Sequence, residues 1–138
     1  HWEIIDELLP KSPFHKPGDN TSHRARLHWL LPDWVWTLED AKEINEYIVK
    51  LQSPYGWIDI MLKTSIGLQT SQVPRLSFLQ IIRAGELLRG QGEIPPTWGW
   101  VSPTYGCKLP ALSLVAEIQS SIPIRFETEW HFPTRKLM

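Results

Sequence analysis

Cysteine is nearly absent from this chain, and neither sign of charge dominates it. The one cysteine, Cys107, excludes an internal disulfide and a cysteine-based metal centre. The formal net charge is −1, so binding of nucleic acid or another polyanion would require a local basic patch rather than a global field. No apolar run approaches the roughly 20 residues that a transmembrane helix needs. We therefore expect a globular chain with no membrane span, no nucleic-acid partner and no cofactor.

Tryptophan and proline are present in unusual number, with 8 and 12 copies. Tryptophan at this density is typical of a large β-sheet core and, less often, of a surface that stacks on sugars. The 138 residues are enough to bury one core without disulfides or metals, so residues 1–138 are expected to form a single domain. Because the sequence starts at His1 rather than Met and carries no signal-like segment there, we interpret it as a piece cut from a longer protein.

Hydrophobic and polar residues alternate with a period of two along three segments, Arg24 to Leu31, Leu112 to Ile118 and Ile124 to Phe132. This period predicts half-buried strands, each with one apolar face and one solvated face. The side chains expected in the core are Leu27, Trp29, Leu114, Phe126 and Trp130. Shorter strands are predicted at Trp2 to Leu8, Trp34 to Leu38, Tyr47 to Gln52, Trp57 to Lys63 and Leu76 to Arg83. Several strands separated by turn residues predict an all-β fold, an antiparallel β-sandwich with little helix.

Three segments outside the strongest strands need separate interpretation. Pro10 to Asn20 is rich in proline and polar residues, which predicts a solvated hairpin loop between the first two strands. Thr37 to Glu46 carries a weak capping-box pattern and is the one candidate helix before the middle of the chain. Leu76 to Leu88 fits both a strand and a helical stripe, and we favour the strand.

Two parts of the sequence, one near its start and one late, carry a family resemblance. Trp2 to Leu8 is followed after a loop by His23 to Asp33, which contains the run Arg-Leu-His-Trp-Leu-Leu-Pro-Asp. Later, Gly99 to Gly106 reads Gly-Trp-Val-Ser-Pro-Thr-Tyr-Gly, and Pro110 to Leu114 reads Pro-Ala-Leu-Ser-Leu. In order and spacing these segments resemble the β-domain of heparinase II/III-like polysaccharide lyases.

The resemblance implies a secreted or periplasmic parent protein that cleaves acidic polysaccharides by β-elimination. In that family an N-terminal α/α toroid supplies the acid/base tyrosine and histidine. An early part of the β-domain supplies another histidine and, in some members, zinc ligands, within His-Ala-Asp and His-Asn-Thr motifs. Neither motif occurs in this chain. The resemblance therefore implies a noncatalytic C-terminal β-domain that is inactive alone, packs on the toroid and lines its substrate groove, without a catalytic residue or a metal ligand.

Two groups of residues are candidates for contact with an acidic polysaccharide. Arg24, Arg26 and His28 share one strand face, where their charges would meet uronates or sulfates. A solvated face, or a contact with the toroid, is the alternative. Trp98, Trp100 and Tyr105 lie in the Gly- and Pro-rich stretch from Gly90 to Gly106 and would form a stacking platform for sugar rings. The alternative is a loop that packs back onto the sheet, with Tyr105 as a buried anchor.

Patterns that would indicate other chemistry are weak. His23 and His28 are five residues apart, so they would point to opposite faces of a strand and would not share a metal ion. Glu127 and Glu129 lie on one strand face, as glycosidase carboxylates do, but a solvated strand face is the simpler interpretation. Two other functions stay open: an independent carbohydrate-binding module with a concave aromatic face, and a protein-interaction or assembly domain.

Overall fold

The computed structural model describes residues 1–11, 22–40, 45–66 and 76–134, and all helix or strand structure within these ranges is strand. The strands are Trp2–Leu8 (β1), His23–Leu31 (β2), Trp36–Asp40 (β3), Glu46–Ser53 (β4), Gly56–Ile66 (β5), Leu76–Arg83 (β6), Glu86–Arg89 (β7), Trp100–Val101 (β8), Leu109–Pro110 (β9), Leu112–Ser120 (β10) and Ile124–His131 (β11). The described ranges contain no helix that is long and apolar enough to cross a membrane.

The strands form two main sheets. The larger sheet has the order β1-β11-β5-β4-β3 and the smaller sheet has the order β2-β10-β6-β7, while β8 and β9 form a short separate pair. Every pairing between these strands is antiparallel. The predicted all-β, antiparallel sandwich is confirmed.

Apolar side chains from the two sheets meet in one core. Those that are almost completely buried include Leu51, Ile60, Leu62, Leu112, Leu114 and Ile118. A polar contact also joins the sheets, because Trp29 Nε1 of β2 donates a 3.3 Å hydrogen bond to Thr128 Oγ1 of β11. This contact places β2, an edge strand of the smaller sheet, over β11 of the larger sheet.

The residues predicted for the core all face it, but not equally. Leu114 and Phe126 are buried, whereas Leu27, Trp29 and Trp130 are half-buried and pack against the core from its side. Leu27 and Trp29 lie on β2, which among the described strands has a neighbour on one flank only. The alternation therefore identified the correct face without identifying the depth of burial.

Three interpretations of the ambiguous segments can be compared with the strands. The strand favoured at the start of Leu76 to Leu88 is confirmed, since β6 pairs with β10 along its length. The candidate helix at Thr37 to Glu46 is wrong for its described residues, which belong to β3, to a turn at Asn45 and to β4; residues 41–44 lie outside the described part. The connection at Pro10 to Asn20 does not close a hairpin, because β1 and β2 belong to different sheets, and most of it lies outside the described residues.

The face of β10 opposite the core was predicted to be solvated, and this is wrong. Ser113 and Val115 are 0% exposed and Glu117 is 6% exposed. β10 has a strand on each side, and the segment 90–99 packs over its outer face. The strand is therefore covered on both faces. The period-two pattern does not distinguish a strand covered on both faces from one covered on a single face.

Candidate functional site

Gly99 holds the segment 90–99 against the outer face of the smaller sheet. Its N–H donates a 2.9 Å hydrogen bond to Ser113 Oγ, and its carbonyl accepts hydrogen bonds from the amides of Ala84 at 2.8 Å and Ala111 at 2.9 Å. Its φ is +79°, and a Cβ at this position would lie 2.6 Å from the Ala84 nitrogen. Only glycine combines this left-handed backbone with so close an approach.

Two further hydrogen bonds fix the same segment. Gln80 Nε2 of β6 donates to the carbonyl oxygen of Gln91 at 2.7 Å, and the amide of Gly85 donates to the carbonyl oxygen of Trp98 at 2.8 Å. Because Trp98 is held through its own backbone, its indole has a defined place above β2 and β10. The alternative interpretation, a loop that packs back onto the sheet, therefore holds for the segment 90–99.

His28 lies under Trp98 and contacts Ser113. The distance from His28 Nε2 to Ser113 Oγ is 2.8 Å, and the imidazole and indole ring centres are 5.2 Å apart. Burial, and secondarily the positive charge of Arg26, lower the pKa of His28 below 6.5. The Ser113 hydroxyl accepts from Gly99, so its own proton is available for the neutral imidazole. The lowered pKa favours the neutral imidazole, and whether Nε2 or Oγ donates depends on its tautomer.

Arg24 and Arg26 both bind one buried carboxylate. Arg24 Nε lies 3.0 Å from Glu117 Oε1, while Arg26 places Nε and Nη2 at 2.9 and 2.8 Å from Oε2. Two guanidinium groups and one carboxylate leave one positive charge in excess, and both arginine side chains still reach solvent, at 64% and 40% exposure. The basic strand face is therefore an ion-pair network and not three free cations.

Trp98 and Trp100 each have a cation over the indole ring. The Arg26 guanidinium carbon lies 4.8 Å from the ring centre of Trp98, and Lys108 Nζ lies 3.9 Å from the ring centre of Trp100. Such contacts are attractive because the face of an indole is electronegative. The pairs therefore place positive charge beside aromatic surface.

The tryptophans and the histidine line one shallow cavity of about 320 Å³. Its lining residues are His28, Leu30, Thr97, Trp98, Gly99, Trp100 and Ser113. Arg26 adjoins this cavity through its contact with Trp98. Four of the six predicted substrate contacts, Arg26, His28, Trp98 and Trp100, are thus brought together.

The remaining two predicted contacts lie differently. Arg24 joins the group only indirectly, through Glu117. Tyr105 is fully exposed between β8 and β9 and does not line the cavity. The alternative interpretation of Tyr105 as a buried anchor is therefore wrong.

Ser113, Glu117 and Lys108 belong to the site but were not identified from the sequence. Glu117 interrupts an otherwise apolar stretch of β10, which was the one available signal that a buried charge needs a partner. Its pairing with Arg26 follows from the register of β2 against β10, which brings these two residues opposite each other. Ser113 and Lys108 carry no such signal.

The described residues contain no group of three or more His, Cys, Asp or Glu side chains that would hold a metal ion. The chemistry offered by the site is therefore that of hydrogen bonding, ring stacking and positive charge. No protein-family model matches the chain, and neither a curated protein nor a solved structure shows significant similarity to it.

Proposed function

We propose that the chain is the noncatalytic C-terminal β-domain of a heparinase II/III-like polysaccharide lyase, packing on the α/α toroid of the same protein and lining its groove for acidic polysaccharide. One observation carries the proposal: the two parts of the sequence that resemble the family meet at the cavity. His28 from the first contacts Ser113 from the second, 85 residues away, at 2.8 Å. Gly99, also from the second, donates to the same serine.

The chemistry around the cavity suits an acidic sugar. The indoles of Trp98 and Trp100 offer apolar surface to the faces of sugar rings. Arg26 and Lys108 place positive charge beside those indoles, where a uronate carboxylate or a sulfate would bind. His28 and Ser113 add polar atoms to the lining. These residues make a surface for binding and orientation.

The same geometry supports a noncatalytic role. β-Elimination needs a base and an acid that both reach one sugar. His28 is engaged with Ser113, and Tyr105, the nearest phenol in the sequence to the loop tryptophans, is fully exposed outside the cavity lining. The acid and base would come from the toroid, as the family resemblance implies.

An apolar edge supports packing on another domain. At the β1 end of the larger sheet, Trp2 is 64% exposed, Leu8 is 46% exposed and Leu9 is 63% exposed. A domain that is covered within a larger protein is expected to leave such a surface when it is considered alone.

An independent carbohydrate-binding module is the second candidate, favoured by the shared position of Trp98 and Trp100 in one cavity. Against it, each indole already carries a cation over its ring. A module of that kind would bind neutral sugars by stacking, whereas the proposed domain would require an acidic polymer.

Titration with heparin and alginate oligosaccharides, with a neutral glucan for comparison, tests the proposal. We expect binding of the acidic oligosaccharides alone, weakening steeply with added salt, and no ultraviolet absorbance from unsaturated uronate product. Trp98→Leu and Lys108→Ala should each weaken binding, whereas Trp57→Leu on the other sheet and Lys11→Ala should not. Product formation by this chain would overturn the noncatalytic role. Unchanged oligosaccharide affinity in Trp98→Leu and Lys108→Ala would overturn the placement of the groove.

A further inference from the structure

β1 has a neighbouring strand on one side only. It pairs with β11 from Trp2 to Leu8, and no other strand of the described ranges pairs with it. In an antiparallel ladder about half of the backbone N–H and C=O groups of an edge strand point away from the sheet. β1 therefore presents a row of backbone donors and acceptors on which another strand could align.

The inner face of β1 is only partly covered. Trp29 of β2 bonds to Thr128 of β11, so the smaller sheet ends above β11 and β1 extends past it. Parity directs four side chains of β1 to the inner face: Trp2, Ile4, Asp6 and Leu8. Ile4 is half-buried, whereas Asp6 is exposed and Trp2 and Leu8 are 64% and 46% exposed. β3, the opposite edge of the same sheet, differs because its Trp36 packs against the core.

The outer face at this edge carries excess negative charge. Glu3 stands opposite Glu129 in the register of β1 against β11, and like charges in that arrangement repel. Glu129 contacts His131 at 2.8 Å, and Arg125 lies within 3.3 Å of Glu7. Within the described part of the chain, Glu3 has no ion-pair partner.

We propose that β1 binds, by strand addition at its free edge, an extended polypeptide segment in which apolar residues alternate with lysine or arginine. The apolar side chains would cover the inner face beside Trp2 and Leu8, and the basic side chains would face Glu3 and Glu7. This inference rests on the proposed function in that it takes the chain to be part of a larger protein. It adds the chemistry of the segment that covers the β1 edge there.

A second copy of β1 does not meet these requirements. Antiparallel pairing of two copies about Ile5 would place Glu3 of one copy opposite Glu7 of the other. The added segment would therefore be basic where β1 is acidic, which a second copy is not.

Amide-resolved NMR with a nine-residue peptide of alternating lysine and valine tests the proposal on the whole chain. About half of the β1 amides should become protected from hydrogen exchange, while the amides of β3 stay unchanged. A peptide with glutamate in place of lysine should not bind. Glu3→Lys should weaken binding about fivefold, whereas Glu93→Lys, an exposed residue between β7 and β8, should leave it unchanged.

The apolar contribution has its own matched pair. Trp2 and Val35 are each 64% exposed, so Trp2→Ser should weaken peptide binding and Val35→Ser should not. No perturbation of β1 at millimolar peptide, binding at another surface, or a β1-dependent dimer in sedimentation would each overturn the inference. Since no saccharide takes part, failure here is distinguishable from failure of the proposed groove, which is measured by oligosaccharide titration alone.

Discussion

Trp29 and Thr128 form a hydrogen bond that joins the two sheets of the sandwich, at 3.3 Å between Nε1 and Oγ1. The Trp29 ring also meets Trp130 edge to face, with ring centres 5.3 Å apart. The indole therefore closes the side of the core at which β2 lies over β11.

Replacing Trp29 separates the two contributions of this residue. Trp29→Phe keeps an aromatic ring but removes the donor, and we expect a loss of about 1 kcal/mol in the free energy of unfolding. Trp29→Ala removes the ring as well and should cost about 3 kcal/mol. Urea denaturation measures both losses. A loss under about 1 kcal/mol for the alanine variant would mean that the ring does not contribute to the core.

Two glycines offer a matched test of the loop's close approach. Gly99 and Gly106 have similar φ values of +79° and +73°, but a Cβ would meet the Ala84 backbone at the first and nothing within 4 Å at the second. Gly106→Ala should cost about 1 kcal/mol from backbone strain alone. Gly99→Ala should cost about 3 kcal/mol and disturb the Trp98 environment, because the clash adds to the strain. Equal losses in thermal or urea unfolding would contradict the packing described for this segment.

Acid should destabilise the fold through His28. Its folded-state pKa is lowered by burial and by Arg26, so the unfolded chain binds a proton more readily than the folded chain. The stabilising effect of the neutral imidazole is present above the unfolded pKa of about 6.5 and is lost as pH falls from there toward the folded pKa. Urea unfolding measured from about pH 8 downward through the unfolded pKa of about 6.5 should show that loss in the parent chain. In His28→Gln that part of the pH dependence should disappear, and its persistence would assign it to another group.

Removing the two arginines that bind Glu117 should lower the free energy of unfolding more than removing the charge of Glu117. The double variant Arg24→Ala, Arg26→Ala leaves a buried carboxylate without its cations and should cost about 3 kcal/mol. Glu117→Gln leaves two guanidinium groups that already reach water, so it should cost only about 1 kcal/mol. Chemical denaturation of the two variants makes the comparison. A larger loss for Glu117→Gln would contradict the roles given to burial and exposure here.

The alternation of residues was sufficient to predict the sandwich, because period two in β2, β10 and β11 follows directly from strand geometry. It was insufficient for depth of burial. Trp29 looks like a core residue in the sequence but lies on an edge strand, and Ser113 looks exposed but is buried in contact with Gly99. Edge position and loop packing depend on contacts between distant segments, which local patterning does not encode.

The candidate site was predictable in part for the same reason. Arg26 and His28 share parity on one strand, and Trp98 and Trp100 lie in one Gly- and Pro-rich stretch, so each pair could be proposed from sequence. Their meeting depends on the backbone of Gly99, which brings the loop onto β10. Glu117 pairs with Arg24 and Arg26, so these arginines are not free cations. Its position opposite Arg26 follows from the strand register alone.

Coverage of β10 on both faces has a consequence for the motions of the molecule. Its amides are paired with β2 on one side and β6 on the other, and its Ser113 is held from above by the segment 90–99. No small local opening frees them, since that would require separating neighbouring strands or lifting the loop. The hydrogen-exchange rates of the β10 amides should therefore follow the global free energy of unfolding. The β1 amides that point away from β11 should exchange without global unfolding.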